Sequence, residues 1–181
     1  MILDKPNFFV LTGGPGVGKT TLVHHLRATG ERVVEESARA VIRDAVQSGG
    51  QATPWQDNAA FVAECVRRDI AAFGELAGET RCVFFDRGII DSYGANGEPP
   101  SPALIEAVRG RRYNPRVFLL PPWPEIYATD AERRQDWAEA ERTFDRIREQ
   151  LPSLGYTPVI VPKASVADRA AFVLAQARGQ A

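Results

Sequence analysis

Four groups of residues in this chain have types and spacings that can do chemistry. The first is Gly13-Gly14-Pro15-Gly16-Val17-Gly18-Lys19-Thr20, which fits G-x-x-x-x-G-K-[ST] in full. Glycines in such a run let backbone N–H groups converge on phosphate oxygens, in a concavity that side chains would otherwise fill. A helix opening near Lys19 turns its unpaired amides and positive dipole end toward the same anion. Lys19 is then expected to reach the β- and γ-phosphates and the Thr20 hydroxyl to ligate Mg²⁺, with nucleotide contacts running from Gly13 through Thr21. The alternative is a chance glycine turn between a strand and a helix. Against it stand the flanks: an apolar, β-prone stretch at 7–12 before the motif, and Leu22, Val23 and Leu26 on helical spacing after it. The expected ligand is a nucleoside triphosphate, taken as ATP with Mg²⁺.

The second group is Asp86-Arg87-Gly88, at the end of the apolar run Cys82-Val83-Phe84-Phe85. A carboxylate at a strand tip, beside a Mg–nucleotide, is placed to hold the metal or act in catalysis. Arg87 offers a planar fork to a phosphoryl group. The competing reading is a surface turn carrying an Asp/Arg ion pair. The third group, Glu35, Glu36 and Arg39, follows a short strand at 32–34. A carboxylate there can take the proton of an acceptor hydroxyl and Arg39 can anchor a substrate anion. The same residues also suit a helix start, with Ser37 helping to cap it. The fourth is Asp130-Ala131-Glu132-Arg133-Arg134, paired arginines after a proline-rich turn. They fit a lid that brings positive charge to a transferring phosphoryl group. A solvated helix laced with i,i+4 pairs such as Asp130–Arg134 is the alternative.

These groups need a scaffold, and the hydrophobic pattern supplies one. Strands are expected at 7–12, 32–34, 81–86, 116–120 and 156–161. Helices are expected at 21–27, at 38–47, from Pro54 onward through Phe61, Cys65, Ile70, Phe73 and Leu76, and at 103–108, 129–150 and 165–178. Continuous apolar strands alternating with helices belong to parallel sheets covered on both faces. The predicted architecture is a three-layer α/β/α P-loop NTPase fold with a parallel five-stranded sheet, in one domain over residues 1–181 with a helical lid near 122–150.

Composition narrows the partners. A chain of 181 residues, 44% hydrophobic and 25% charged, suits one soluble domain. The net charge of −1 gives no global reason to expect nucleic acid or an anionic membrane. Cys65 and Cys82 are too few and too distant for a disulfide framework or a zinc site, and both are expected in the core. His24-His25 lack metal-pair spacing and are read as structural. No signal-peptide pattern or membrane-length apolar run occurs, so a reducing cytoplasm is expected.

The motifs "LTGGPGVGKTTL", "VVEESARAVI", "VFFDRGIIDSYGA", "VFLLPPWPEIYATDAERR" and "LGYTPVIVPKASVADRAAFVL" together resemble the P-loop kinase branch. Within it they are similar to AAA-type ATP-binding domain proteins related to the ribosylnicotinamide kinase part of NadR. The resemblance spans nearly the whole chain. It implies Lys19 and Thr20 for ATP–Mg²⁺, Asp86 for metal or catalysis, and Glu36 and Arg39 at the acceptor. It further implies Arg87 near the transferred phosphate and Arg133 or Arg134 in the lid. Glu36 is preferred to Glu35 because it begins the Glu-x-x-Arg spacing. The segment Pro162-Lys163-Ala164-Ser165-Val166 falls where nucleoside kinases of this fold contact the base.

Two functions compete. One is a kinase that moves the ATP γ-phosphoryl group to a small, nucleoside-like acceptor, with Glu36 or Asp86 as base. The other is a switch or ATPase that binds ATP or GTP without a small-molecule acceptor. Glu-x-x-Arg and lid arginines favour the kinase, and the guanine-reading Asn-Lys-x-Asp of many switches is absent from the sequence. A polynucleotide kinase needs a basic strand-binding groove that the net charge does not advertise.

Overall fold

The computed structural model describes residues 2–94, 99–126 and 137–179. They divide into two compact units, each assembled from separated segments.

The larger unit comprises Pro6–Val33, Thr80–Asp86 and Tyr113–Ala181. Its strands are β2 (Phe8–Gly13), β4 (Val83–Asp86), β6 (Arg116–Leu120) and β7 (Thr157–Ile160). With β3 (Arg32–Val34) they form the expected five-stranded sheet, in the order β3-β4-β2-β6-β7. β2 pairs in parallel with both β4 and β6, and β6 with β7. Successive strands therefore step away from β2 in opposite directions, which opens a crevice at its carboxyl end. Every residue of β2 and β4 is buried, as a strand covered on both faces requires.

Register fixes which side chains share a face. Phe9 lies opposite Phe84, and Leu11 opposite Phe118. These pack with Leu22, Val23 and Leu26 of helix α1 (Lys19–Ala28) and with Ala170 and Val173 of helix α6 (Val166–Ala177). Helix α5 (Trp137–Ser153) contacts β2, β6 and β7, and its buried Ala140, Ile147 and Leu151 stand outside that cluster. Ile147 and Leu151 are apolar positions that the sequence shows within the dense charge of this segment. Within the expected lid, α5 is a packed element of the sheet, while Asp130, Glu132, Arg133 and Arg134 lie outside the described residues.

The smaller unit comprises Met1–Lys5, Val34–Glu79 and Arg87–Arg112. It contains helices α2 (Ser37–Ser48), α3 (Asn58–Glu75) and α4 (Pro102–Gly110), and a 3₁₀ turn at Ile89–Ser92. Helix α3 starts later than Pro54, because the Asp57 carboxylate accepts from the Ala60 amide at 2.9 Å and fixes the first turn there. Ser37 is a helical residue and not the cap of α2. Glu36 occupies the cap position without a side-chain bond to the helix. A two-stranded parallel ladder, β1 (Leu3–Asp4) with β5 (Arg111–Arg112), is absent from the sequence reading. Strands of two residues each are too short to carry a periodicity. Cys65 is buried as expected, whereas Cys82 precedes β4 and is half-buried. Trp55 is exposed.

The packing makes a contrast that thermal unfolding can check. Leu22→Ala removes a fully buried side chain from the sheet–α1 contact and is expected to cost about 2–5 kcal/mol, lowering Tm by roughly 5–15 °C. Val46→Ala, on an exposed side chain, is expected to stay within about 0.5 kcal/mol of the parent. Equal losses from the two would contradict the core assignment.

Candidate functional site

The phosphate loop connects β2 to α1. Gly13 closes the strand, and a Cβ there would stand 2.9 Å from the Leu120 carbonyl oxygen. Gly18 is the N-cap of α1 with φ 78°, a left-handed conformation. A Cβ at Gly18 would meet Arg169 Nη1 at 2.8 Å and Ile126 Cδ1 at 2.9 Å, so shape and backbone both demand glycine. Its carbonyl accepts the first helical bond, from the Leu22 amide at 3.2 Å, and no side chain caps the amides of the opening turn. Those amides and the dipole end form an anion cradle.

Lys19 begins α1 with 7% exposure, and its ammonium is ion-paired with the Asp86 carboxylate, also 7% exposed. The parallel register sets Asp86 opposite Leu11, one strand over from the root of the loop. Burial and this pairing replace the surface-turn reading of Asp86. Thr20 is half-buried at the second helical position, and Thr21 is exposed. The donors suit Mg²⁺: it keeps several waters and takes one or two carboxylates plus nucleotide phosphates. One Asp and one Thr hydroxyl meet that need, and no group of three His, Cys, Asp or Glu able to hold a metal occurs among the described residues.

Beside the loop, in the same unit, lies a narrow recess whose walls include Val17, Leu120, Trp123, Pro162, Lys163 and Arg169. From the segment 162–166, Pro162 and Lys163 line it, and Ser165 caps α6 by accepting from the Asp168 amide at 3.2 Å. Arg169 is 6% exposed, and its guanidinium lies 5.6 Å from the centre of the Trp123 ring. Burial pulls its pKa down from the ordinary value. Sequence reasoning missed Arg169, although an arginine one position before the apolar Ala170-Ala171-Phe172-Val173 stripe was a visible anomaly.

The smaller unit carries the second constellation. Arg87 Nε donates to Glu36 Oε1 at 2.8 Å, and Arg87 Nη1 to Asp91 Oδ1 at 3.3 Å. Asp91 Oδ2 accepts from the Gly88 amide at 2.8 Å, and Arg39 Nε lies 3.5 Å from Glu36 Oε2. Glu36, Arg39 and Arg87 are therefore brought together, while Glu35 is exposed. Arg87 has φ 65°, the one positive φ outside glycine among the described residues. That strained backbone is held by its two carboxylate partners.

Two members of this cluster were not anticipated. Asp91 lies one turn beyond Arg87. Asp69, on α3, is pushed up to about 7, first by burial and then by the nearby Asp91 and Glu36 charges, against the opposing influence of the Ser37 side chain. Burial likewise pushes the Cys65 thiol up to about 12. A signal existed in the sequence. Phe61, Cys65, Asp69 and Phe73 recur at i+4, so an acid fills one slot of the buried stripe.

Residues 8–169 match the AAA domain family, and the chain belongs to that family. No curated protein matches it in sequence. By structure it is similar to NadR protein in complex with NR, at 20% identity and TM-score 0.70, over 98% of this chain and 52% of that one. It is also similar to shikimate kinase from Acinetobacter baumannii in complex with shikimate, at 18% identity and TM-score 0.55, over 97% and 94% of the two chains. A third likeness is to deoxyadenosine kinase from M. mycoides, at 9% identity and TM-score 0.60, over 95% and 99%. The chain spans about half the length of the NadR chain. The fold is that of the P-loop kinases. No helix among the described residues is long and apolar enough to cross a membrane.

Asp69 makes stability pH-dependent with a definite sign. Between about pH 4 and 7 the native state keeps a proton on Asp69 that the unfolded chain has released, so stability falls as pH rises through that window and levels off above it. Denaturant unfolding of the parent and Asp69→Asn across pH 4–8 is expected to show their difference growing in favour of the variant up to about pH 7. A pH-independent difference would refute the raised Asp69 pKa.

Proposed function

We propose that this chain is a kinase that transfers the γ-phosphoryl group of a nucleoside triphosphate, taken as ATP, to a hydroxyl of a small nucleoside-like acceptor. The observation that carries this reading is the Glu36–Arg87–Asp91 cluster, built in addition to a complete phosphate loop. Binding and slow hydrolysis need only the loop. A carboxylate oriented by a guanidinium, which can also engage phosphoryl oxygens, is what an acceptor hydroxyl requires. The likeness to NadR protein in complex with NR supports a nucleoside-like acceptor.

The roles follow from the chemistry of each group. The loop amides from Gly13 through Thr21 bind the donor phosphates, and Lys19 neutralises the β- and γ-oxygens. Thr20 and Asp86 would hold Mg²⁺, which would supply charge neutralisation when bound. Glu36 accepts the hydroxyl proton as the acceptor oxygen bonds to the γ-phosphorus and the bond to the β,γ-bridging oxygen breaks, leaving the nucleoside diphosphate. Asp86 serves Lys19 and the metal, so Glu36 is the better base. Arg39 anchors the acceptor, Arg87 steadies the transferring group, and Arg133 and Arg134 add charge from the lid segment.

Two measurements test this. Saturating ATP–Mg²⁺ at about 100 times Kd is expected to stabilise the chain by about 2.7 kcal/mol, and Lys19→Ala to abolish the shift. A variant stabilised as strongly as the parent would disprove the loop assignment. Screening nucleosides, nicotinamide riboside, nucleotides and sugars for acceptor-stimulated ADP release is expected to yield a substrate whose turnover Glu36→Gln lowers about 10²–10⁴-fold. A basal hydrolysis that no acceptor raises, and that Glu36→Gln leaves unchanged, would identify the switch instead.

A further inference from the structure

Helix α4 has a buried side and an open one. Leu104, Ala107 and Val108 are buried, while Pro102, Glu106 and Arg109 are exposed and Ile105 is half-buried. Positions 102, 105, 106 and 109 recur at i, i+3, i+4 and i+7, so they form one stripe along the helix. With Ile2 and Gly110 they line a groove of about 500 Å³ that belongs wholly to the smaller unit. Ile2 stands 66% exposed in it.

Charge and shape say what covers this groove. Glu106 and Arg109 lie three positions apart on the stripe, and no ion pair joins either side chain to another described residue. A Cβ at Gly110 would meet nothing within 4 Å, so the groove is open at that end of the helix. An acid and a base on one stripe complement the same stripe reversed. When two such helices run antiparallel across a two-fold axis, each Glu106 comes opposite Arg109 of the second copy. The same register sets each Ile105 opposite the open position at Gly110. The ion pair forms twice, and Ile2 adds apolar area beside it. A partner of one charge sign would satisfy only half of the stripe.

We propose that the open side of α4 is the surface through which two copies of this chain pair as a symmetric dimer. The inference does not depend on the kinase reading. A two-fold contact uses the same patch on both copies, so assembly closes at the dimer. The helix at its centre has nine residues, so the seam is short and the association weak and concentration-dependent.

Sedimentation velocity of the full chain, from about 1 to about 500 μM, tests this. The mass is expected to rise from 19.9 kDa toward twice that value and no further. Glu106→Arg and Arg109→Glu each set like charges against one another across the axis, and each is expected to weaken pairing about tenfold or more. The two changes together restore opposite charges and are expected to bring pairing back to within about threefold of the parent. Both side chains are exposed, so all three variants are expected to keep Tm within about 4 °C of the parent. A parent that stays monomeric over the range overturns the proposal and leaves the groove to another partner. Single reversals that pair as well as the parent overturn it too, because the contact then lies elsewhere. So does a folded double variant that stays monomeric.

Discussion

A lysine and an aspartate buried together at the tip of a parallel sheet set the terms for the rest of this structure. Removing two charges from water is expensive, and their mutual attraction offsets that only in good geometry. Lys19 and Asp86 meet because β2 and β4 run in register and α1 starts immediately after the glycines. A slip of one residue in β4 would turn Asp86 to the opposite face of the sheet and part it from the buried ammonium. The continuous apolar runs that look like simple core are therefore also the device that places two charges. On the proposed reading, a Mg–nucleotide gives each of them a second partner, phosphate oxygens for Lys19 and the cation for Asp86.

One residue further along the chain, the backbone changes role. Arg87 takes up a left-handed conformation, which costs a non-glycine residue about 1–3 kcal/mol. Its ion pairs with Glu36 and Asp91, together with the Gly88 amide on Asp91, hold that conformation. Two adjacent residues thus belong to separate clusters: Asp86 to the lysine of the loop, Arg87 to the acids of the smaller unit. Elsewhere α2 is tied to α3 by packing and by the Arg68–Asp44 ion pair at 2.8 Å.

Arg169 shows a different compromise. It is buried against Gly18 and Trp123, and no carboxylate among the described residues is ion-paired with it. An apolar residue of similar volume would pack there without desolvating a charge.

The amino-acid sequence alone determined the α/β class, five sheet strands and the phosphate loop, because each is written in local signals: continuous apolar runs, helical periodicity and a contiguous glycine motif. Glu36 and Arg87 were also legible, since each closely follows a strand end that the pattern locates, and Arg39 follows Glu36 at i+3. The partners of those residues were decided by tertiary structure. Asp91 joins Arg87 through a 3₁₀ turn, and Asp69 comes from the middle of a helix distant in sequence. Arg169 reaches Gly18 across 151 positions. A charge on an apolar stripe can be seen in a sequence. Whether it meets an opposite charge, a hydroxyl or an aromatic face depends on packing, because long-range contacts leave no periodic trace in the chain that makes them.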